Sequence, residues 1–166
     1  LHDAMAHDAR IAIGSPVVVR ADDPAVIQYA GTSLHFICEA VNPYLGRPLS
    51  DRGDDARDIG VASTCALLLD RQVAIDIGLF DERYVIGKED GDFTHRARVA
   101  GYRIRELPAA RVRHLTKPRS DWLFYYQIRN RWHFLLKNYE VATLVAILPA
   151  LVVHELMQLV FLVAKG

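Results

Sequence analysis

Cysteine is nearly absent from this chain. Cys38 and Cys65 are its only two, too far apart for a C-x-x-C motif, which excludes a cysteine metal site or a redox pair and leaves the expectation of two buried thiols in a reducing compartment. An excess of either charge is missing too. With 20 Lys plus Arg against 20 Asp plus Glu, the chain as a whole offers no basic surface, and no nucleic acid is expected as a partner. There is no internal repeat and no low-complexity tract, and the first residues carry charge where a signal peptide would have a long apolar run. What is present is a globular composition, 51% hydrophobic and 24% charged over 166 residues, enough for one domain with a proper core.

The charges are unevenly placed. Residues 51 to 58 (DRGDDARD) are acid-rich, whereas residues 96 to 119 are rich in Arg and Lys with Glu106 as the one acid, so an anionic ligand would be drawn to the second region. Between them, Gly78 to Gly101 reads GLFDERYVIGKEDGDFTHRARVAG and holds five acids, Asp81, Glu82, Glu89, Asp90 and Asp92. The apolar positions Phe93, Ala97 and Ala100 repeat at helical spacing and Gly101 is placed to end the helix, so Glu89, Asp90 and Asp92 sit in its first turn. Carboxylates there cap free N–H groups and complement the helix dipole, each contributing about 0.3–1 kcal/mol. Three within four residues exceed what capping needs, because like charges that close raise one another's pKa, and a carboxylate so placed beside Gly87 and Gly91 is suited to act as a general base.

The run GLFDE (Gly78 to Glu82), the acidic EDGD (Glu89 to Asp92), Arg96, GYRI (Gly101 to Ile104), Pro108 and His114 occur in an order and spacing that resembles the C-terminal half of the catalytic domain of family 2 glycosyltransferases. The resemblance is closest to the bacterial rhamnosyltransferase-like members that build cell-surface polysaccharides, and it extends more loosely over nearly the whole chain. It implies an α/β chain: a partial GT-A (Rossmann-like) domain over residues 1–120, followed by a helical, membrane-associating segment over 121–166. It also implies transfer of a sugar, with inversion, from a nucleotide-sugar donor to a saccharide or lipid-linked acceptor, at the inner, cytoplasmic face of the cell membrane as a peripheral protein. Asp90 matches the family's catalytic base, with Glu89 positioning the acceptor or the base, and Asp92 supporting the loop through Arg96. His114 stands where some relatives place a histidine that helps hold a divalent metal, Mg²⁺ or Mn²⁺; a histidine at a strand end is otherwise a structural residue. The stretch Gln127 to Trp132 is similar to the Gln-x-x-Arg-Trp signature of processive synthases with one residue more, and Arg129 and Arg131 become candidates for the diphosphate, together with Arg111, Arg113, Lys117 and Arg119.

The chain departs from the family in two places. Ser63 to Ala66 reads Ser-Thr-Cys-Ala where relatives carry a glycine, and the nucleotide-binding half with its Asp-x-Asp would precede Leu1, so the chain alone is expected to be inactive. Asp22 and Asp23, followed by Pro24, have turn chemistry in place of metal chemistry. The alternative is a non-catalytic membrane-associated binding module derived from a glycosyltransferase. A glycoside hydrolase would need a second carboxylate across the bond, and the sequence does not identify one.

Along the chain the pattern predicts the end of a helix over 1–9 and strands at Ile11–Ile13 and Val17–Val19, separated at Gly14–Pro16. A hairpin around Gly31 (Val26–Ala30 with Leu34–Cys38) and a mobile surface loop over Asn42–Asp58 are expected next. Ile59–Leu69 reads as a buried strand and Arg71–Ile77 as a short helix. After the acidic helix come strands at Tyr102–Arg105 and Ala110–Arg113 with Pro108 in the turn, then a helix from Asp121 to about Tyr139. The last segment, Val141–Ala164, is strongly apolar, interrupted by Pro149, His154, Glu155 and Gln158. About 15 residues follow the proline, roughly 22 Å of helix against a bilayer core of ~30 Å, so an amphipathic helix in the membrane interface is expected ahead of a core helix or a span.

Overall fold

A computed structural model of the protein describes residues 1–115 and 122–165, of Lys165 the backbone only. It is a mixed α/β body built on one long strand, β1 (Ile11–Arg20), whose first nine residues are all buried. A near-continuous apolar run of this kind marks a strand covered on both faces. A short helix, α1 (His2–Ala6), precedes it, and Met5 Sδ and Leu1 lie within 3.4 Å of where a side chain on Gly14 would start, so α1 packs closely over the strand at this glycine.

The partners of β1 explain its proline. On one side it pairs antiparallel with two short strands: β6 (Leu68–Leu69) opposite Gly14 and Ile13, and β2 (Ile27–Tyr29) opposite Val19 and Val18. Pro16, which has no N–H to donate, falls in the gap between them. On the other side β1 runs parallel to β7 (Arg103–His114) for its whole length. There the register jumps, Pro16 facing Leu107 and Val17 facing Arg111, so Pro108, Ala109 and Ala110 bulge out of the ladder. The pairs of short strands expected on either side of Gly14–Pro16 and of Pro108 are therefore two continuous strands, because each proline sits where the ladder does not need its N–H. The edge strand β5 (Arg57–Asp58) pairs antiparallel with β7.

Three other expectations are corrected. Residues around Gly31 form no hairpin: β2 pairs with β1, whereas β3 (Ser33–Leu34) pairs with β4 (Ala40–Val41) in a separate ribbon. Ile59–Leu69 is a strand only at β6, the rest being irregular, although Ile59, Val61 and Ala62 are buried. Asn42–Asp58 is pinned by a 3-10 turn at Leu49–Arg52 and by Arg52, whose buried side chain donates from Nε to Glu106 Oε1 on β7 (2.6 Å) and from Nη1 to the Asp55 carbonyl (3.0 Å).

The expected helices form. In α2 (Arg71–Asp76) Asp70 caps the first turn by accepting from the Val73 N–H at 2.9 Å, and α3 (Glu89–Val99) ends before Gly101, whose φ of +92° suits glycine. Phe93 and Ala97 of α3 pack with Ala74 of α2 on Ala12, Ile13 and Ile104 of the sheet. α4 (Trp122–Asn138) and α5 (Val141–Lys165) follow, Phe134, Leu135 and Leu151 closing a second core with Ile37, Cys38 and Tyr84. α4 belongs to the same packed body as the sheet: Asn130 donates to the carbonyls of Tyr84, Ile86 and Gly87, and Lys137 and Asn138 to Asp92. Pro149 does not interrupt α5, which runs unbroken for 25 residues. Cys38 is buried as expected; Cys65 is exposed.

Candidate functional site

The parallel strands β1 and β7 end together at Arg20 and His114, and α3 starts near the same edge of the sheet. Open α/β sheets form crevices at the carboxyl ends of parallel strands. Here a cleft of about 990 Å³ opens there, with Arg20, Gln28, Glu39, Lys88, Asp90 and His114 among its polar lining and Leu34, Leu45, Val61 and Leu115 among its apolar lining.

Asp90 reaches this cleft because it occupies the first turn of α3, where one helix face is open. Its Oδ1 accepts from the Gly91 N–H at 2.8 Å. Burial raises its pKa to about 6, the charge of Glu89 adds to the rise, and hydrogen bonds from the N–H groups of Gly91 and Thr64 together with the charge of Lys88 only partly oppose it. Such a carboxylate is ionised at neutral pH and holds a proton more tightly than an exposed aspartate, which are the properties of a general base.

Its acidic neighbours are placed differently. Glu89 does not line the cleft; Thr64 Oγ1 donates to its Oε1 at 3.3 Å, and its Oε2 is buried with no hydrogen-bond partner among the described residues. Asp92 is fully buried on the far side of the helix and accepts from Arg96 Nε (2.8 Å), Lys137 Nζ (2.9 Å), Asn138 Nδ2 (3.0 Å) and the Tyr84 hydroxyl (3.2 Å). Burial alone would raise its pKa, but the bonds from Lys137, Asn138 and Arg96 outweigh it and hold the carboxyl below its usual range. Arg96 also donates to the carbonyls of Ile77 and Leu79, so that hydrogen bonds join Asp92, Arg96 and the residues that follow α2.

His114 lines the cleft from the end of β7 with Nδ1 3.1 Å from Gln28 Oε1. Among the described residues no three His, Cys, Asp or Glu side chains form a group that could hold a metal ion. Asp22 at the cleft mouth pairs with Arg20, Nε to Oδ1 at 3.0 Å.

The two arginines expected at a diphosphate are engaged inside the protein. Arg129 donates to the Arg83 carbonyl and to Asn130 Oδ1, both at 2.7 Å. Arg131 is completely buried: Nη1 meets Glu39 Oε1 at 3.1 Å and His154 Nδ1 at 2.7 Å, and Nη2 donates to Glu155 and, at 3.3 Å, to Gln158. Neither side chain lines the cleft. Arg111 donates back to the Pro108 carbonyl at 3.2 Å, and Lys117 and Arg119 lie outside the described residues.

Lys88 is the cleft residue that sequence patterns did not single out. It precedes α3 in the left-handed conformation (φ +70°), and its Nζ donates to the Cys38 carbonyl (2.6 Å) and to Glu39 Oε2 (2.9 Å), which hold it in that unfavourable backbone region. Gln28 in the three-residue strand β2, and Glu39 and Asn42 on either side of β4, were equally hidden, since none has a motif around it; the basic charge embedded among the acids was the only signal for Lys88. A scan against models of known protein families finds no match to this chain, and a search of curated proteins finds none either.

Proposed function

We propose that the protein is part of an inverting glycosyltransferase, its α/β body the acceptor side of a GT-A-type domain, with Asp90 as the base. The reading rests on the family resemblance, and the observation that carries it is Asp90 itself: a partly buried carboxylate with a pKa of about 6, in the wall of a cleft large enough for a sugar, at the helix start where the resemblance puts the base. In the reaction, Asp90 takes the proton of an acceptor hydroxyl as that oxygen attacks the anomeric carbon from the side opposite the nucleoside diphosphate. The bond from the anomeric carbon to the diphosphate breaks, the diphosphate leaves with the electron pair, and the configuration inverts. Glu89 and Lys88 set the charge around Asp90, and the Asp92 hub fixes the helix that carries it. A divalent ion, as the resemblance implies, would stabilise the leaving diphosphate; His114, which lines the cleft, is the ligand the resemblance offers for it, and among the described residues no three His, Cys, Asp or Glu side chains group around a place for it.

The test is transfer from a panel of nucleotide sugars by the full-length native protein in membranes, read as release of nucleoside diphosphate. Asp90→Asn is expected to lower kcat/KM by about 10²–10⁴-fold, as removal of a general base does. The exposed Asp76→Asn on α2 serves as the control and should leave the rate unchanged. Undiminished transfer by Asp90→Asn would remove Asp90 as the base, and no transfer from any donor by the unaltered protein would leave the non-catalytic binding module as the better reading.

A further inference from the structure

α5 has two dissimilar sides. Leu144, Ile147, Leu151, His154, Glu155 and Gln158 follow one another at helical spacing, and all of them face the protein: the first three pack into the core with Phe134 and Leu135, and the last three meet Arg131. The polar side chains that would have formed a wet face are thus turned inward, onto a buried arginine. On the other side, Val141, Val145, Leu148, Val152, Leu156, Leu159 and Val163 are each at least half exposed, and no charged or hydrogen-bonding side chain stands among them. Only 6% of the most apolar stretch of α5 is buried.

From this we infer that the outer face of α5 is covered by lipid, with the helix axis lying along the bilayer surface. Length alone would permit a span, since 25 residues make about 37 Å of helix. The docked stripe forbids it. It runs from Leu144 to Gln158, about 21 Å, so a hydrocarbon core of ~30 Å around α5 would also enclose Glu39, Arg131 and the cleft wall that touches them. Lying flat, the helix buries its apolar half at the boundary between headgroups and acyl chains and keeps those charges on the water side. A second protein surface fits the outer face less well, because protein interfaces place about one hydrogen bond per 100–200 Å², whereas the line from Val141 to Val163 offers no hydrogen-bonding side chain.

Nitroxide labels at Val145, Val152 and Leu159, positions that share one line along the outer face, test this in phosphatidylcholine vesicles. Cys65→Ser removes the exposed native thiol; burial raises the pKa of Cys38 to about 12 and keeps it unreactive. The protein is expected to float with the vesicles, with all three labels at one depth. Depths spread over about 20 Å between Val145 and Leu159 would mean a span and overturn the inference. Failure to float, with dimers in sedimentation, would assign the face to a second copy and overturn it as well. Val152→Glu with Leu156→Glu should lower the vesicle-bound fraction about tenfold at unchanged helical content. Should that pair fail to fold, Val145→Lys with Leu159→Lys at the ends of the face makes the same test.

Discussion

Replacing Asp90 by Asn is expected to make the protein more stable at neutral pH while removing the base we propose. The magnitude follows from the pKa of about 6 against an ordinary value of 3.8, roughly two units at 1.36 kcal/mol each, or about 3 kcal/mol. The sign runs opposite to the common carboxylate case. Because the folded pKa is the higher one, the native state between pH 3.8 and about 6 holds a proton that the unfolded chain has released, and stability falls as pH rises through that window. Above it, the folded protein carries a charge that its surroundings disfavour. Asn keeps the shape and can still accept from the Gly91 N–H, but has no charge to desolvate. Chemical denaturation in mild detergent at pH 7.5 and pH 4.0 measures the effect: a gain of about 2–3 kcal/mol for Asp90→Asn at the higher pH, shrinking toward zero at the lower. An equal effect at both pH values, or a loss at pH 7.5, would refute the account of Asp90 as a destabilised charge.

Three further outcomes follow from the same geometry. Initial rates of transfer should fall as pH drops through about 6, because protonated Asp90 cannot accept a proton, and a rate independent of pH between 5 and 7 would exclude Asp90 as base. Arg131→Met takes one partner from Glu39, which keeps Lys88, and one from Glu155, which keeps the Trp132 indole N–H, so it should cost about 2 kcal/mol by denaturation, below the range for a broken buried pair because both carboxylates are about one-third exposed; a cost under about 0.5 kcal/mol would mean that the network does not hold α5. Glu106→Gln leaves Arg52 charged and fully buried, at a cost of about 3–5 kcal/mol, and the double variant Arg52→Met, Glu106→Met should be less damaged than the single one.

Elements whose signals are local were legible in the sequence. Gly78 and Gly101 as stops and the spacing of Phe93 and Ala97 fix the ends of α2 and α3 without reference to the rest of the chain. The strands were not, because a proline usually ends a strand and here does not. Pro16 and Pro108 are tolerated only through what lies beside them, a gap between β6 and β2 in one case and a bulge against β1 in the other, and neither is visible from one strand alone. Gly31 misled in the same way, since the partner of β2 comes before it in the chain. For the site, the acidic first turn of α3 together with the family resemblance pointed to Asp90, and the resemblance alone to His114; both line the cleft. Arg131 could not be judged, because whether an arginine meets a ligand or a buried carboxylate depends on Glu39 and Glu155, 92 and 24 positions away along the chain.

The crowding of acids at the start of α3 has a physical resolution in the helix itself. Asp90 and Asp92 are two residues apart, about 200° around the axis, so they point to opposite sides. One side is the cleft, where burial and the Glu89 charge make the proton harder to release; the other is a nest of Arg96, Lys137, Asn138 and Tyr84 that keeps the charge in place. Two identical side chains thereby acquire pKa values displaced in opposite directions, the separation expected where one carboxylate is to exchange protons and the other is to stay ionised. The second depends on α4, which supplies Lys137 and Asn138, and α4 also carries Arg131, the residue that holds α5. Two chains of hydrogen bonds therefore join α5 to the residues on either side of Asp90, one through Arg131 and Glu39 to Lys88 and one through α4 to Asp92, so the apolar helix and the carboxylate in the cleft belong to one polar network.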